Sequence, residues 1–403
     1  MSEDDDQRLK PYLKMERLPE LLTLDTLTWF QLDKVNFLVM SNTLKDPDGT
    51  ADRLHEVLEL HDGKVTGAVH RVAIELVDAR WRTPGQMNDK ARAVRRELDF
   101  LRQKFGRIPA VLLYEGALAH RNQDREAAFA LFRQAAEEMG DHLLPRMYVG
   151  AYSLRTVDDS DWADVTPSRI IGSTPDIDWR RPPEKRSNIC LYLAGDGNYF
   201  DTFARALYDD ARRIDDACNV HFHVVNWNDT SDSQFDGVDD PLLSISVEDY
   251  RYRRDHTYFA LARFYRAAKV MERLDLPLYI SDLDNVVSAP LSKAVADLAD
   301  YDACFGNQSN QAWFPWWGPT AWNTYVNTTP NGRQLATWMH DYSVVRFTPN
   351  DGRKSWWFDQ LMLNEVEHRA KTDGMAVTSS RQPHLTLTRG RPHAEIAHLK
   401  AKR

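Results

Sequence analysis

The sequence predicts an all-α domain followed by an α/β domain built on a parallel or mixed sheet. Three observations predict it. Apolar residues recur at three- and four-residue spacing through residues 1–154. From Ile189 onward, short apolar runs alternate with amphipathic helical ones, the pattern of strand–helix–strand units. Between them, residues 155–187 are polar and punctuated by Pro167, Pro175, Pro182 and Pro183, as in a linker or a strap laid over a domain surface. The expected division is therefore a helical domain at 1–154, a linker at 155–187 and the α/β domain at 188–403.

Bulk properties agree with two soluble domains. A chain of 403 residues buries a sizeable core, and 42% hydrophobic with 28% charged content is globular. A formal net charge of −9 argues against nucleic acid as a partner. Three widely spaced cysteines, Cys190, Cys218 and Cys304, make neither a disulfide framework nor a zinc site. The acidic N-terminus is not a signal peptide, and no apolar run reaches the length of a transmembrane segment. These features predict a cytoplasmic protein, with peripheral contact at a membrane left open.

In the helical half, helix-forming stripes run through Leu54, Val57 and Leu58, then Val72, Ala73, Leu76 and Val77, then Leu98, Leu101 and Phe105. The clearest unit spans Pro109 to Gly140. Gly116, Ala128, Phe132 and Ala135 stand at the offsets of a tetratricopeptide-like helix pair, with Arg121 to Asp124 as the turn. No array of three or more such units is evident. In the α/β half, strands are expected at Ile189 to Ala194, at His221 to Asn226 and in the run ending at Asp282. Helices are expected at Phe200 to Ile214 and Ala260 to Leu274.

The run Leu278-Tyr279-Ile280-Ser281-Asp282-Leu283-Asp284 carries the strongest chemical signal. Extended backbone would put Asp282 and Asp284 on one side, so that both carboxylates aim at one point. Converging carboxylates at the carboxyl end of a strand suit a hard divalent cation or phosphate chemistry. A second strand end, Ala194-Gly195-Asp196, is also acidic, although Asp-Gly-Asn is equally good helix-capping chemistry. Seven of the 12 tryptophans fall between positions 313 and 357. Most would serve an aromatic core, but Trp316-Trp317 and Trp356-Trp357 could also stack on sugar rings.

With these residues in order, the segment 188–403 resembles nucleotide-sugar glycosyltransferases of the GT-A fold and is similar to members of glycosyltransferase family 8. The resemblance is carried by Leu193 to Phe200, Ala262 to Arg266, Asp282-Leu283-Asp284, Asn327 to Arg333, Asp359 to Asn364 and Ile396 to Lys400. It implies Mn2+ or Mg2+ bound by Asp284, with Asp282 sharing the metal or holding the ribose. His398 would complete the coordination, with His384 and His393 as alternatives. Asp196 and Tyr199 would meet the nucleoside. Arg263 would lie under the diphosphate or pair with a motif carboxylate, and Lys400 could neutralise phosphate. Asp359 and Gln360 would face the donor sugar. An Asp359 base implies inversion, and Asp359 or Gln360 on the far face of the sugar fits the retention that the resemblance favours.

The resemblance thus implies sugar transfer from a nucleoside diphosphate sugar to a glycan or protein acceptor, as in surface polysaccharide or glycoconjugate synthesis. The helical half would bind the acceptor or a protein partner, or mediate self-association. Two departures stand out: Trp316-Trp317-Gly318 replaces the usual Asn-Ala-Gly, and Ala401 stands where a glycine is usual. Two alternatives remain at this level. Asp282 and Asp284 could be nucleophile and acid/base of a haloacid dehalogenase-type phosphohydrolase, or the chain could be a non-catalytic helical-repeat scaffold.

Overall fold

The computed structural model describes residues 13–24, 27–143, 148–154, 176–228, 230–252, 254–307, 314–347, 356–380 and 387–401. The chain divides into two compact units, Met1–Arg155 and Thr156–Arg403.

The first unit is helical: α1 (Leu18–Leu22), α2 (Trp29–Thr43), α3 (Pro47–Leu60), α4 (Gly67–Arg82), α5 (Met87–Phe105), α6 (Pro109–Arg121), α7 (Arg125–Leu143) and α8 (Gly150–Ser153). Capping chemistry sets several starts. Thr28 and Gln31 form a reciprocal capping box on α2, and Asp46 and Thr66 cap α3 and α4. Helix α4 is buried on nearly every side. It therefore also buries a charged stripe, in which Arg71 meets Asp33, and Asp78 meets Arg82 at 2.5 Å. The α6–α7 pair packs tightly at Gly116, where a Cβ would lie 2.7 Å from Phe132 Cε1 and 3.1 Å from the Ala128 carbonyl. The α7 run is broken at Gly140, which has φ +60°.

The second unit is a three-layer α/β structure. Its eight-stranded sheet has the order β1-β4-β3-β2-β5-β8-β7-β9. Strands β2 (Cys190–Asp196), β3 (Asn219–Val225), β4 (Leu243–Glu248) and β5 (Leu278–Ser281) run parallel. Strand β1 (Asp178–Arg181) joins β4 antiparallel, inside the span read as linker. On the other side β8 (Pro319–Val326) is antiparallel to both β5 and β7 (Ala303–Asn307), and β9 (Val377–Ser380) is parallel to β7. A separate two-stranded ribbon pairs β6 (Asn285–Val287) with β10 (Thr388–Gly390).

Alternation along β2 shows how the layers form. Cys190, Tyr192 and Ala194 face one core, with α10 (His256–Tyr265), α11 (Ala267–Leu274), α13 (Pro330–Arg346) and α14 (Phe358–Thr372). Leu191 and Leu193 face the other, with α9 (Gly197–Ile214) and α12 (Leu291–Leu298), and α15 (His393–Ala401) adds Ile396 and Leu399. A fully buried Leu or Phe side chain contributes about 1.5–3 kcal/mol, so these two apolar layers dominate the unit's stability.

Three local features differ from the sequence expectation. The helix read over 260–274 is two helices meeting at Arg266, whose side chain is drawn beneath the sheet to Glu248. The strand read at 221–226 starts earlier, at Asn219, and buries its polar positions His221 and His223 through hydrogen bonds of 2.8–2.9 Å with Ser244 and Ser246 of β4. Finally, β5 ends at Ser281, and Asp282 to Asp284 form a turn into β6. Strand alternation therefore does not orient the two carboxylates. Among the described residues, no helix is long and apolar enough to cross a membrane. All three cysteines are buried and unbridged.

Candidate active site

The chain leaves β2 for β3 and β4 on one side, then returns to β5 on the other. The carboxyl ends of β2 and β5 therefore flank the crevice where sheets of this kind hold ligands. Asp196 ends β2 and caps α9, its Oδ1 accepting the Tyr199 N–H at 2.7 Å. Gly197 is needed at this corner, since a Cβ would stand 2.6 Å from the Asn226 carbonyl. Tyr199, in the first turn of α9, packs its ring against Phe203 with centroids 4.6 Å apart.

Across the crevice, the Asp282–Asp284 turn is engaged at both carboxylates. Tyr199 donates its hydroxyl to Asp284 Oδ2 at 2.6 Å. Arg263, from α10, pairs with Asp282 at 2.5 Å and with Asp359 at 3.2 Å. One buried guanidinium thus joins the turn after β5 to the first turn of α14. Asp359 Oδ1 accepts the Gln360 N–H at 2.9 Å.

Burial raises the Asp282 carboxyl to about 6, against the pull of Arg263 and with Asp284 and Asp359 adding to the rise. Burial likewise raises Asp359, again opposed by Arg263. For Tyr199, burial and then the Asp284 charge raise the hydroxyl far above its ordinary value. Asp282 and Asp359 therefore share one cation, and that cation does not fully offset the cost of enclosing them.

Gln360 is half-buried one helical turn before Asn364, and Gly318, after Trp317, approaches Asn364. Trp357 precedes this helix with φ +70° and ψ 10°, a left-handed conformation that bulky residues rarely adopt. His398 and Lys400 are exposed on α15, which docks through Ile396 and Leu399. Their side chains do not join the groups around Arg263. His393 is exposed at the start of the same helix, and His384 lies outside the described residues.

Two supporting networks carried no sequence signal. Glu248, at the carboxyl end of β4, accepts from Tyr258 at 2.6 Å and from Arg266 Nε at 2.6 Å, fully buried. Behind the turn, Ser281, Asn285, Asn323 and Thr388 share hydrogen bonds of 2.9–3.0 Å that tie β10 to the end of β5. Arg391 then joins β6 to α9 through the Asn285 carbonyl at 3.1 Å and Asp210 at 2.8 Å. Partners of this kind lie far apart in sequence, so neither periodicity nor motif spacing could have found them.

For a metal, the chemistry of the donor set decides. Among the described residues, no three His, Cys, Asp or Glu side chains are grouped to hold an ion. Two carboxylates one residue apart fit a hard divalent cation that completes its shell with phosphate oxygens and water. They do not make an all-protein cage. The His398 coordination implied by the resemblance has no geometric support here.

No protein-family model and no curated protein matches the chain. Among solved structures, it is similar to the bifunctional glycosyltransferase WbbM at 14% identity and TM-score 0.32, over 49% of this chain and 39% of that one. It is also similar to the galactosyltransferase LgtC, in complex with donor and acceptor sugar analogues, at 14% identity and TM-score 0.30. That match covers 47% of this chain and 72% of LgtC. An active-site mutant of LgtC gives 11% identity and TM-score 0.31 over the same shares. The chain thus spans well under half the length of WbbM, and likenesses this weak carry no argument about what the protein does.

Proposed function

We propose that the protein is a metal-dependent glycosyltransferase, moving a sugar from a nucleoside diphosphate donor to a glycan or protein acceptor. The observation that carries the reading is that Asp282 and Asp359 meet at Arg263, while Asp284, in the same turn as Asp282, meets Tyr199 beside Asp196 at the sheet's switch point. Three carboxylates against one guanidinium leave the site short of positive charge. A diphosphate would be repelled from it unless a cation came too. A divalent ion at Asp282 and Asp284, bound together with the diphosphate, would neutralise the leaving group.

In this reading Asp196 and Tyr199 meet the nucleoside. Arg263 orients Asp282 and Asp359, and Asp359 with Gln360 faces the donor sugar. Both Asp359 oxygens already accept hydrogen bonds, from Arg263 and from the Gln360 N–H. That disfavours Asp359 as the base of an inverting reaction and favours an electrostatic role, as in retention. Lys400 and His398, exposed on α15, are given no role at the diphosphate in this reading. A phosphohydrolase with Asp282 as nucleophile gains no support, because Arg263 already holds that carboxylate. Surface polysaccharide or glycoconjugate synthesis is the setting we infer, with the helical unit recognising the acceptor or a partner.

The test is a thermal-shift screen of UDP and GDP with Mn2+ or Mg2+, followed by metal-dependent hydrolysis of nucleotide sugars. A nucleotide-dependent rise in melting temperature, abolished in Asp284→Ala, is expected. Absence of any shift with every nucleoside diphosphate and metal would sink the reading.

A further inference from the structure

Tyr199 touches both sides of the crevice. Its backbone N–H is fixed by the Asp196 cap at 2.7 Å, and its ring is held against Phe203. Gly195 lies close to the same ring, with room for a Cβ only 3.6 Å from Tyr199 Cβ and Cδ1. These restraints deliver the hydroxyl to Asp284 Oδ2 at 2.6 Å, across a gap of 85 residues in sequence. Asp284 itself sits in a turn, where no helix or strand fixes its direction. Among the described residues, no side chain or backbone group is bonded to its other oxygen, Oδ1.

We propose that Tyr199 is a positioning residue acting through Asp284: its hydroxyl holds Oδ2 and leaves Oδ1 as the oxygen offered to a divalent cation. The inference rests on the nucleotide-sugar reading above. A carboxylate bound to metal through one oxygen is steadied by a donor on the other, and loss of such outer partners typically costs about 10–100-fold in affinity. Because the same side chain stands at the end of β2, it also ties the nucleoside side of the crevice to the cation side. Metal and nucleotide then strengthen each other's binding by the same factor.

The experiment uses the full chain as wild type, Tyr199→Phe and Asp284→Asn. Mn2+ binding is read from the paramagnetic resonance signal of the free ion, alone and with UDP or GDP. Nucleotide binding is measured separately in EDTA. Removing one hydroxyl keeps the ring packed on Phe203, so Tyr199→Phe should still unfold cooperatively, as a check that it is folded. The expected result is Mn2+ binding about 10–100-fold weaker in Tyr199→Phe, a loss clearly larger than any change in nucleotide affinity in EDTA. The strengthening of nucleotide binding by Mn2+ should shrink as well.

Mn2+ affinity equal to wild type overturns the proposal. Tighter Mn2+ binding also overturns it, because the hydroxyl would then be competing with the ion. An equal loss of nucleotide affinity in EDTA assigns the effect to the ring and removes the positioning role. If wild type binds Mn2+ and Asp284→Asn does not, while Tyr199→Phe matches wild type, the nucleotide-sugar reading stands and only the role of Tyr199 falls. If wild type binds neither Mn2+ nor either nucleotide, both fall together.

Discussion

Asp282 shows at residue scale how the site trades stability for charge. Its folded value of about 6 lies above the ordinary 3.8, so the folded protein keeps a proton that the unfolded chain has released between these values. Stability from this group is full below pH 3.8 and falls as pH rises through about 6. With a third of the side chain facing solvent, the loss is discounted to about 1–2 kcal/mol. Asp282→Asn should therefore melt higher than wild type at pH 7 and match it near pH 4, while losing metal-dependent nucleotide binding. Equal melting at both values would count against the burial argument. Trp357 gives a second residue-scale prediction. A left-handed L-residue costs about 1–2 kcal/mol, so Trp357→Gly should be more stable than Trp357→Ala by about that amount in urea unfolding. Alanine would be the more stable of the two at an ordinary helical position. The carboxylates were legible in the sequence because Asp-Leu-Asp is local and follows an apolar run. The Tyr199 and Asp284 partnership was not, because only the fold joins positions 85 residues apart.

At the scale of elements, close packing and buried charge decide what each helix tolerates. Gly116 admits no Cβ without displacing Phe132, so Gly116→Val should destabilise the helical unit by about 1–3 kcal/mol. A second change, Phe132→Leu, should recover part of that loss, read by urea denaturation of single and double variants. This helix pair was legible because small residues at fixed offsets leave a mark in sequence. The break at Arg266 left none: its cause is Glu248, which reaches the helix junction from another strand. Arg266, His223 and the Tyr258 hydroxyl outweigh burial and hold Glu248 at about 2, below its ordinary 4.5. That contribution is present above pH 4.5 and lost as pH falls toward 2. Glu248→Gln should cost about 3–5 kcal/mol near neutrality and flatten the acid limb of the stability profile. A Gln variant with the wild-type acid slope would show that other carboxylates set it. Strand β3 was legible, but the environment of its polar face was not. Its two-residue period was plain, with Val220, Phe222 and Val224 alternating with His221 and His223, but the burial of both histidines against serines on β4 was not.

For the whole molecule, two compact units with separate cores should unfold as two cooperative transitions in calorimetry. UDP or GDP with Mn2+ should raise only the transition of the α/β unit, and a shift of both would show that the units unfold together. The succession β2, α9, β3, the α10–α11 run and β5 was legible in sequence, but strands β1 and β4, the antiparallel return through β8 and the β6–β10 ribbon were not. That ribbon has a consequence for biosynthesis. The Asp-Leu-Asp turn runs directly into β6, and β6 pairs with a strand that lies about a hundred residues further along the chain. A nascent chain carries both aspartates, and Tyr199 and Arg263 that hold them, long before the strand that pairs with β6 exists. The acidic crevice therefore lacks its β6–β10 ribbon until translation has passed Gly390, and a ribosome-bound fragment that stops short of that point has the carboxylates without the strand that backs them.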